Sequence, residues 1–260
     1  MVFYHYFWGY MRYFAELAYD GTSFHGWQIQ PNAYTVQQAL DKALSTILRQ
    51  KIETLGCGRT DTGVHAREFF AHFDALSDTH QHDIPGRKFL NSLNSLLPYQ
   101  IGVKRIIQTD DQAHARFDAT LRSYEYHIHH SKDPFRHGRS WLLQDKLDIE
   151  RMNIAAAYML SYTDFSAFSK SNTQVFTNNC KISRAEWVKD GEHLVFHISA
   201  DRFLRNMVRA IVGTLVLVGR GIITPESIHE IIQSKNRSNA GSSVPACGLY
   251  LTEVKYPYIG

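Results

Sequence analysis

The sequence predicts an α+β fold of two related α/β halves with mainly antiparallel sheets. Three observations carry this. Strand-like stretches are interleaved with amphipathic helical stripes, short turns join several strands into hairpins, and the order of elements in the first half recurs in the second. Hydrophobic residues make up 44% and charged residues 20% of the 260-residue chain, values of a folded globular protein rather than a disordered one. We place the boundary near residue 113, giving 11–112 as the first half and 113–260 as the second, with 1–10 as an extension. No Pro/Gly/Ser linker divides them and no short-period repeat is present, so the halves are expected to share one continuous surface.

The elements follow in order. Arg12 to Tyr19 alternates as a strand, and Asp20-Gly21-Thr22 is a turn signal. Thr35 can cap a helix with Gln38 completing a capping box, and Val36, Leu40, Leu44, Ile47 and Leu48 form its apolar stripe. A glycine-rich loop spans Gly56 to Gly63, and Glu68 to Phe73 reads as extended. Phe89, Leu90, Leu93 and Leu97 give Pro85 to Leu97 the spacing of a helix, ended by Pro98. Gly102 to Ile107 closes the unit as a strand. In the second half Ser123 to His130 and Ser140 to Leu143 read as strands, and Asp148 caps a helix reaching about Leu160. Ser169 to Asn179 is polar and reads as a loop. Arg184 to Val188 and His193 to Ala200 form a hairpin around Asp190-Gly191. A long helix is expected from about Arg202 to Val218, a last helix from the Thr224-Pro225 start signal, and a final strand over Leu249 to Lys255.

Composition narrows the function classes. Lys and Arg total 28 against 25 Asp and Glu, so a basic face must come from clustering rather than net charge. Cys57, Cys180 and Cys247 are odd in number and include no C-x-x-C. That argues against a disulfide framework and a structural zinc site, and for a reducing cytoplasm. The longest apolar run, Ala210 to Gly219, has about half of the roughly 20 residues that span a bilayer, so it reads as a buried helix and no membrane association is expected. The opening MVFYHYFWGY has neither a basic n-region nor a cleavage site. It reads as an extended start ahead of the fold, or as an aromatic arm packed on it.

The chemistry is concentrated in a few places. Gly56-Cys57-Gly58-Arg59-Thr60-Asp61-Thr62-Gly63-Val64-His65 sets Arg59 and Asp61 two apart in a loop whose glycines allow close backbone approach. One reading is a turn in which Asp61 caps backbone N–H groups; the other is a functional carboxylate. The Walker pattern is absent. Arg202, Arg205 and Arg209, taken on one helix, lie within about 60° of one another. Such a stripe is either solvated surface or a means of contacting phosphates and pairing with a buried carboxylate, to which a planar guanidinium offers two points of contact. Tyr124 and Tyr126 share a strand face, as core residues or as stacking surfaces for bases. His127, His129 and His130 have no acidic or cysteine partner at metal-ligand spacing, so no metal site is expected.

Together these motifs resemble the bacterial tRNA pseudouridine synthase A family, which isomerises uridines at positions 38 to 40 of the anticodon stem and loop. The resemblance runs from Met11 to about Pro257. It rests on Tyr19-Asp20-Gly21 with Gly26-Trp27-Gln28, on Gly58 to Ala66, and on Ala115-Arg116-Phe117 with Arg122-Ser123-Tyr124-Glu125-Tyr126. It continues through Phe203-Leu204-Arg205-Asn206-Met207-Val208-Arg209, Ile211-Val212-Gly213 and Gly248-Leu249-Tyr250-Leu251. It implies the pseudouridine synthase fold, with a basic RNA cleft between the halves, a tRNA substrate, a homodimer, and no cofactor or metal. It also implies Asp61 as nucleophile with Arg209 as its partner, and Arg59 as a further catalytic residue. Tyr124 would stack on the target base, and Arg116, Phe117, Arg202, Arg205 and Leu251 would be further substrate contacts. Cys57 and Thr62 stand where alanine is common in the family, and Ser123 and Glu125 where arginines can occur. Two rival readings are a non-catalytic RNA-binding protein with the same cleft, which has no need of an Asp61–Arg209 pair, and a glycoside hydrolase, which needs a second carboxylate in a motif.

Overall fold

The computed structural model describes residues 9–76, 83–169 and 177–260. Its first half follows the predicted order, with β1 (Tyr10–Tyr19), α1 (Val36–Leu48), β2 (Leu55–Gly56), β3 (His65–Leu76), α2 (Arg87–Leu96) and β4 (Ile101–Thr109). Thr35 caps α1 as its sequence signals, its hydroxyl accepting the Gln38 N–H at 3.2 Å. β1 starts at Tyr10, one residue inside the stretch set apart as an extension. Residues 1–8, and with them the aromatic arm, lie outside the described residues.

The second half contains β5 (Leu121–His129), β6 (Trp141–Leu142), α3 (Ile149–Tyr158), β7 (Ile182–Asp190), β8 (His193–Ala200), α4 (Met207–Gly219), α5 (Ser227–Ser234) and β9 (Leu249–Lys255). Asp148 caps α3 by accepting the Arg151 N–H at 3.0 Å. Most of the predicted polar loop, residues 170–176, lies outside the described residues. Two helix starts differ from expectation. α4 begins at Met207 rather than Arg202, because Asn206 is in the left-handed region at φ 66 and breaks the spiral. Arg202 and Arg205 therefore sit on the segment leading into the helix, and the expected three-arginine stripe is not a helical feature. α5 begins at Ser227 rather than at Thr224-Pro225. The intervening turn is tightened by bonds from the Ser227 and Ile228 N–H groups to the Thr224 and Pro225 carbonyls.

All the strands belong to one sheet, ordered β4-β1-β3-β9-β5-β8-β7, with β2 beside β3 and β6 beside β5. Pairings are antiparallel except β3–β9 and β5–β6. β9 joins the halves. It pairs with β5 from Leu121↔Lys255 to Tyr126↔Leu249, but meets β3 only at His65↔Tyr250 and Ala66↔Leu251. Beyond that contact the Val254 N–H is taken by the Glu68 carboxylate at 2.7 Å. The two core clusters cross this seam. The first, around Phe14, Trp27, Phe69 and Phe70, takes in Leu251, Val254 and Tyr256 from the end of the chain. The second, around Phe165, Phe196 and Ile211, takes in Val64. Tyr124 packs against both.

α4 is the apolar run read from sequence as a buried helix, and Ala210 to Val216 are all buried. The chain at Gly241–Val244 lies directly on it. A Cβ at Gly213 would stand 1.9 Å from the Ser242 carbonyl oxygen, and the Gly241 N–H donates to the Thr214 hydroxyl at 2.8 Å. Backbone that close cannot yield without moving the whole strap. Gly213→Ala is expected to destabilise the protein by about 1–3 kcal/mol. In a chain of this size that lowers Tm by about 2–4 °C per kcal/mol. A thermal midpoint within a degree of the parent would show the strap to be loosely held.

Candidate active site

Between β2 and β3 the chain turns through Cys57–Val64, and the turn is clamped from behind by the loop that follows β1. The Trp27 N–H donates to the Thr60 carbonyl at 3.2 Å, the Gly63 N–H to the Phe24 carbonyl at 3.4 Å and the Val64 N–H to the Asp61 carbonyl at 3.1 Å. The Tyr19 and Thr60 hydroxyls bond at 2.9 Å. Gly26 has φ +83, and a Cβ there would lie 2.4 Å from the Thr60 carbonyl, so only glycine fits this approach. At the far end His65, 2% exposed, accepts the Gly21 N–H at Nδ1, 3.1 Å, and has Nε2 3.2 Å from the Cys247 carbonyl. Burial pushes its pKa down. With Nδ1 also 3.2 Å from the Asp20 carboxylate, the ring fastens the loop to the segment before β9. Two motifs far apart in sequence, Tyr19 to Trp27 and Gly58 to Ala66, form one rigid unit.

From this unit Asp61 reaches across to the arginines before and on α4. Among the described residues its carboxylate accepts no backbone N–H, which removes the turn-capping reading. It meets Arg209 instead, with Nη1 donating to Oδ2 at 3.2 Å, and Arg205, with Nε 4.0 Å from Oδ1. The expected two-point contact of Arg209 is divided. Its Nε donates to the Val244 carbonyl at 2.7 Å, so the strap lying on α4 aims the guanidinium and a single bond reaches the carboxylate. Oδ1 accepts no hydrogen bond among the described residues and faces only the Arg205 guanidinium, and the side chain is 30% exposed.

Tyr124 stands on β5 just past a register shift between Ser123 and Tyr124 in the pairing with β9, a place where a strand re-aims a side chain. Its half-buried ring meets Phe203 edge-on, centroids 5.1 Å apart. Burial raises the pKa of its hydroxyl, and the Asp61 charge acts in the same direction. Tyr126 is fully buried and donates to the Pro245 carbonyl at 2.8 Å, making it a core residue. Leu251, expected among the substrate contacts, is 1% exposed. It lies in register between Ala66 and Tyr124, as the floor under the tyrosine.

The arginines converge without a common helix. Burial lowers the Arg116 pKa, and the charges of Arg59, Arg122 and Arg202 lower it further. Among the described residues the guanidinium groups of Arg59, Arg116 and Arg202 form no ion pair with a carboxylate. Phe117 is 75% exposed, with the Arg116 guanidinium 5.8 Å from its ring centre. The positions that depart from the family pattern are accommodated elsewhere. Cys57 is sealed, and burial pushes its thiol up to about 11. Ser123 bonds Ser199 and Glu253, and Glu125 pairs with Arg67 and His127, each at 3.0 Å. Strand alternation puts both on the face opposite Tyr124. No group of three metal-binding side chains occurs among the described residues. Sequence reasoning gave no site role to Tyr19, Phe203 or the Val244 carbonyl; Tyr19 and Phe203 each stand in a motif quoted for the resemblance, while the carbonyl has no sequence signal.

A family model described as tRNA pseudouridine synthase matches residues 155–257. The chain is 51% identical over 249 residues to tRNA pseudouridine synthase A of Bacteroides thetaiotaomicron, covering 95% of this chain and 91% of that protein. It is 50% identical to the protein of the same name from Porphyromonas gingivalis, over 95% of this chain and 97% of the other. This chain belongs to the tRNA pseudouridine synthase A family. The match to the family model takes in α4, the arginines before and on it, and β9. The full-length relatives extend the membership to nearly the whole chain. Within a tRNA pseudouridine synthase A, the divided grip of Arg209 has a direct consequence. An ammonium has one charged point and cannot span the Val244 carbonyl and Asp61 together. Arg209→Lys is expected to keep the fold and lower the single-turnover rate on tRNA by about 10–100-fold, a cost of misplacement. A rate within twofold of the parent would show that Asp61 needs no such partner.

Proposed function

We propose that this chain converts uridine to pseudouridine at positions 38 to 40 of the tRNA anticodon stem and loop, with Asp61 as the nucleophile. The observation that carries the reading is a carboxylate bonded by Arg209 at one oxygen, with Arg205 4.0 Å from the other, whose charge acts on the half-buried Tyr124. In the isomerisation the C1′–N1 bond breaks, the base turns, and a C1′–C5 bond forms. The C5 hydrogen leaves as a proton and N1 gains one. No electrons pass to an external acceptor, so the reaction assigns no step to a redox cofactor. A carboxylate next to the sugar can capture or stabilise cationic character at C1′, and Arg209 keeps it oriented for that task. A stacked base is out of reach, so the target nucleotide must leave the helix. Tyr124 offers its ring to that base. Arg59, Arg116, Arg202 and Arg205 offer contacts to phosphates, while Phe117 offers an exposed ring. A homodimer working in the cytoplasm belongs to the same reading.

A non-catalytic RNA-binding protein would need the arginines and aromatic rings but gives the Asp61–Arg209 pair nothing to do. Paired-carboxylate glycoside hydrolysis needs a second acid facing the first, whereas the side chains that reach Asp61 are arginines. Release of tritium from tRNA labelled as [5-³H]uridine separates the isomerase from both rivals, because among the three only the isomerase forms a new bond at C5 and loses its hydrogen. Asp61→Asn retains the shape but removes the charge, so it should bind tRNA and release no tritium above background. Substantial release by a well-folded Asp61→Asn protein overturns the assignment. Tyr124→Phe is expected to retain most of the tRNA affinity, while Tyr124→Ala loses about 1–3 kcal/mol of stacking. Equal losses measured for the two would transfer the role from the ring to the hydroxyl.

A further inference from the structure

Arg122 is 9% exposed, and among the described residues its guanidinium faces no carboxylate in an ion pair. A cation in that position is costly unless every donor is satisfied. Here all five are. Nε and Nη2 donate to the Cys57 carbonyl at 3.3 and 2.8 Å. Nη2 also reaches the Arg116 carbonyl at 2.7 Å. Nη1 reaches the Ala119 carbonyl at 3.4 Å and the Asp201 carbonyl at 3.1 Å. The full donor complement of an arginine is thus spent on backbone.

Those four carbonyls come from three separate segments. Cys57 opens the turn that carries Asp61. Arg116 and Ala119 bracket the stretch with the Arg116 cation and exposed Phe117. Asp201 immediately precedes Arg202 on the approach to α4. Arg122 itself lies on β5 two residues before Tyr124 and on the same face of the strand. We propose that Arg122 is a positioning residue that ties the Asp61 turn, the Arg116–Phe117 segment and the Arg202–Arg205 segment to the strand bearing Tyr124. It touches no reacting atom in this arrangement. Its planar fork acts through the three backbones it holds, and a charge without the fork cannot replace it. Backbone acceptors suit such a role, because a carboxylate partner would neutralise the positive character that the neighbouring Arg59, Arg116 and Arg202 lend to the cleft.

The inference rests on the proposed isomerase reading for its kinetic consequence but not for its structural one, and the full-length protein tests the two apart. Arg122→Lys keeps a charge and loses the fork; Arg122→Gln loses both. For each, amide hydrogen exchange is followed over the whole chain, together with the thermal midpoint and the single-turnover rate on saturating [5-³H]uridine-labelled tRNA. The expected result is exchange at least about tenfold faster in residues 57–63, 116–119 and 201–206, with the cores unchanged. Turnover per folded molecule should drop at least about tenfold in both variants, as displacement of a positioned group predicts. Exchange that quickens uniformly, or is unaltered in those segments, overturns the proposal. So does parental turnover in either folded variant. If the parent protein releases no tritium, the isomerase reading falls, and the exchange pattern still decides the role of Arg122.

Discussion

The geometry of the site depends on how β9 is paired. This strand holds β3 on one side through two parallel register pairs and β5 on the other through a longer antiparallel ladder. Asp61 comes a few residues before β3, and Tyr124 is on β5. The carboxylate and the tyrosine are brought together by a strand that lies between their own strands, with the Arg122 bond to Cys57 as a second tie between the Asp61 turn and β5. The brevity of the β3–β9 contact matters as much as its existence. Past Ala66 the two strands diverge, and the room this leaves is where the Asp61 turn and the Arg122 side chain meet.

A net charge of +3 gives no hint that Arg59, Arg116, Arg122 and Arg202 lie close enough to act on one another. The cations are gathered by tertiary structure from the Asp61 turn, from the stretch before β5 and from the approach to α4, while many acids elsewhere are paired. Arg12 with Asp74, Lys104 and Arg105 with Glu16, and Arg220 with Asp145 are examples. Pairing cancels charge on the periphery and leaves it uncancelled at the site. Local fields of this kind, rather than the overall balance, bring a polyanion to one place on a surface.

Local signals in the sequence were reliable where a single short-range interaction decides the outcome. The caps of α1 and α3 at Thr35 and Asp148 follow from side-chain oxygens near unpaired N–H groups, and the apolar run of α4 follows from its burial. The clustering of the site was legible through the ordered motifs but not through periodicity. Helical spacing put Arg202, Arg205 and Arg209 on one face. The left-handed Asn206 instead starts the helix later, and the arginines reach the cleft along an irregular path. The pairing of Asp61 with Arg209, the aiming of Arg209 by the Val244 carbonyl and the burial of Leu251 depend on contacts across the whole chain, for which no local pattern exists. The same is true of Arg122. In sequence it is one more arginine before a strand, and its four carbonyl partners are backbone atoms that any residue type would provide.

The late position of β9 also sets the order in which the molecule is completed during synthesis. Val254 meets Glu68 across 186 residues of chain, and β5 and β8 can form their own ladder long before then. β9 therefore takes a place between β3 and β5, two strands that come far earlier in the chain. Long-range pairing of this kind is slow and leaves strand edges exposed meanwhile. Arg122 can tie the turn that carries Asp61 to β5 without β9, but the contact between β3 and β9 waits for the later strand.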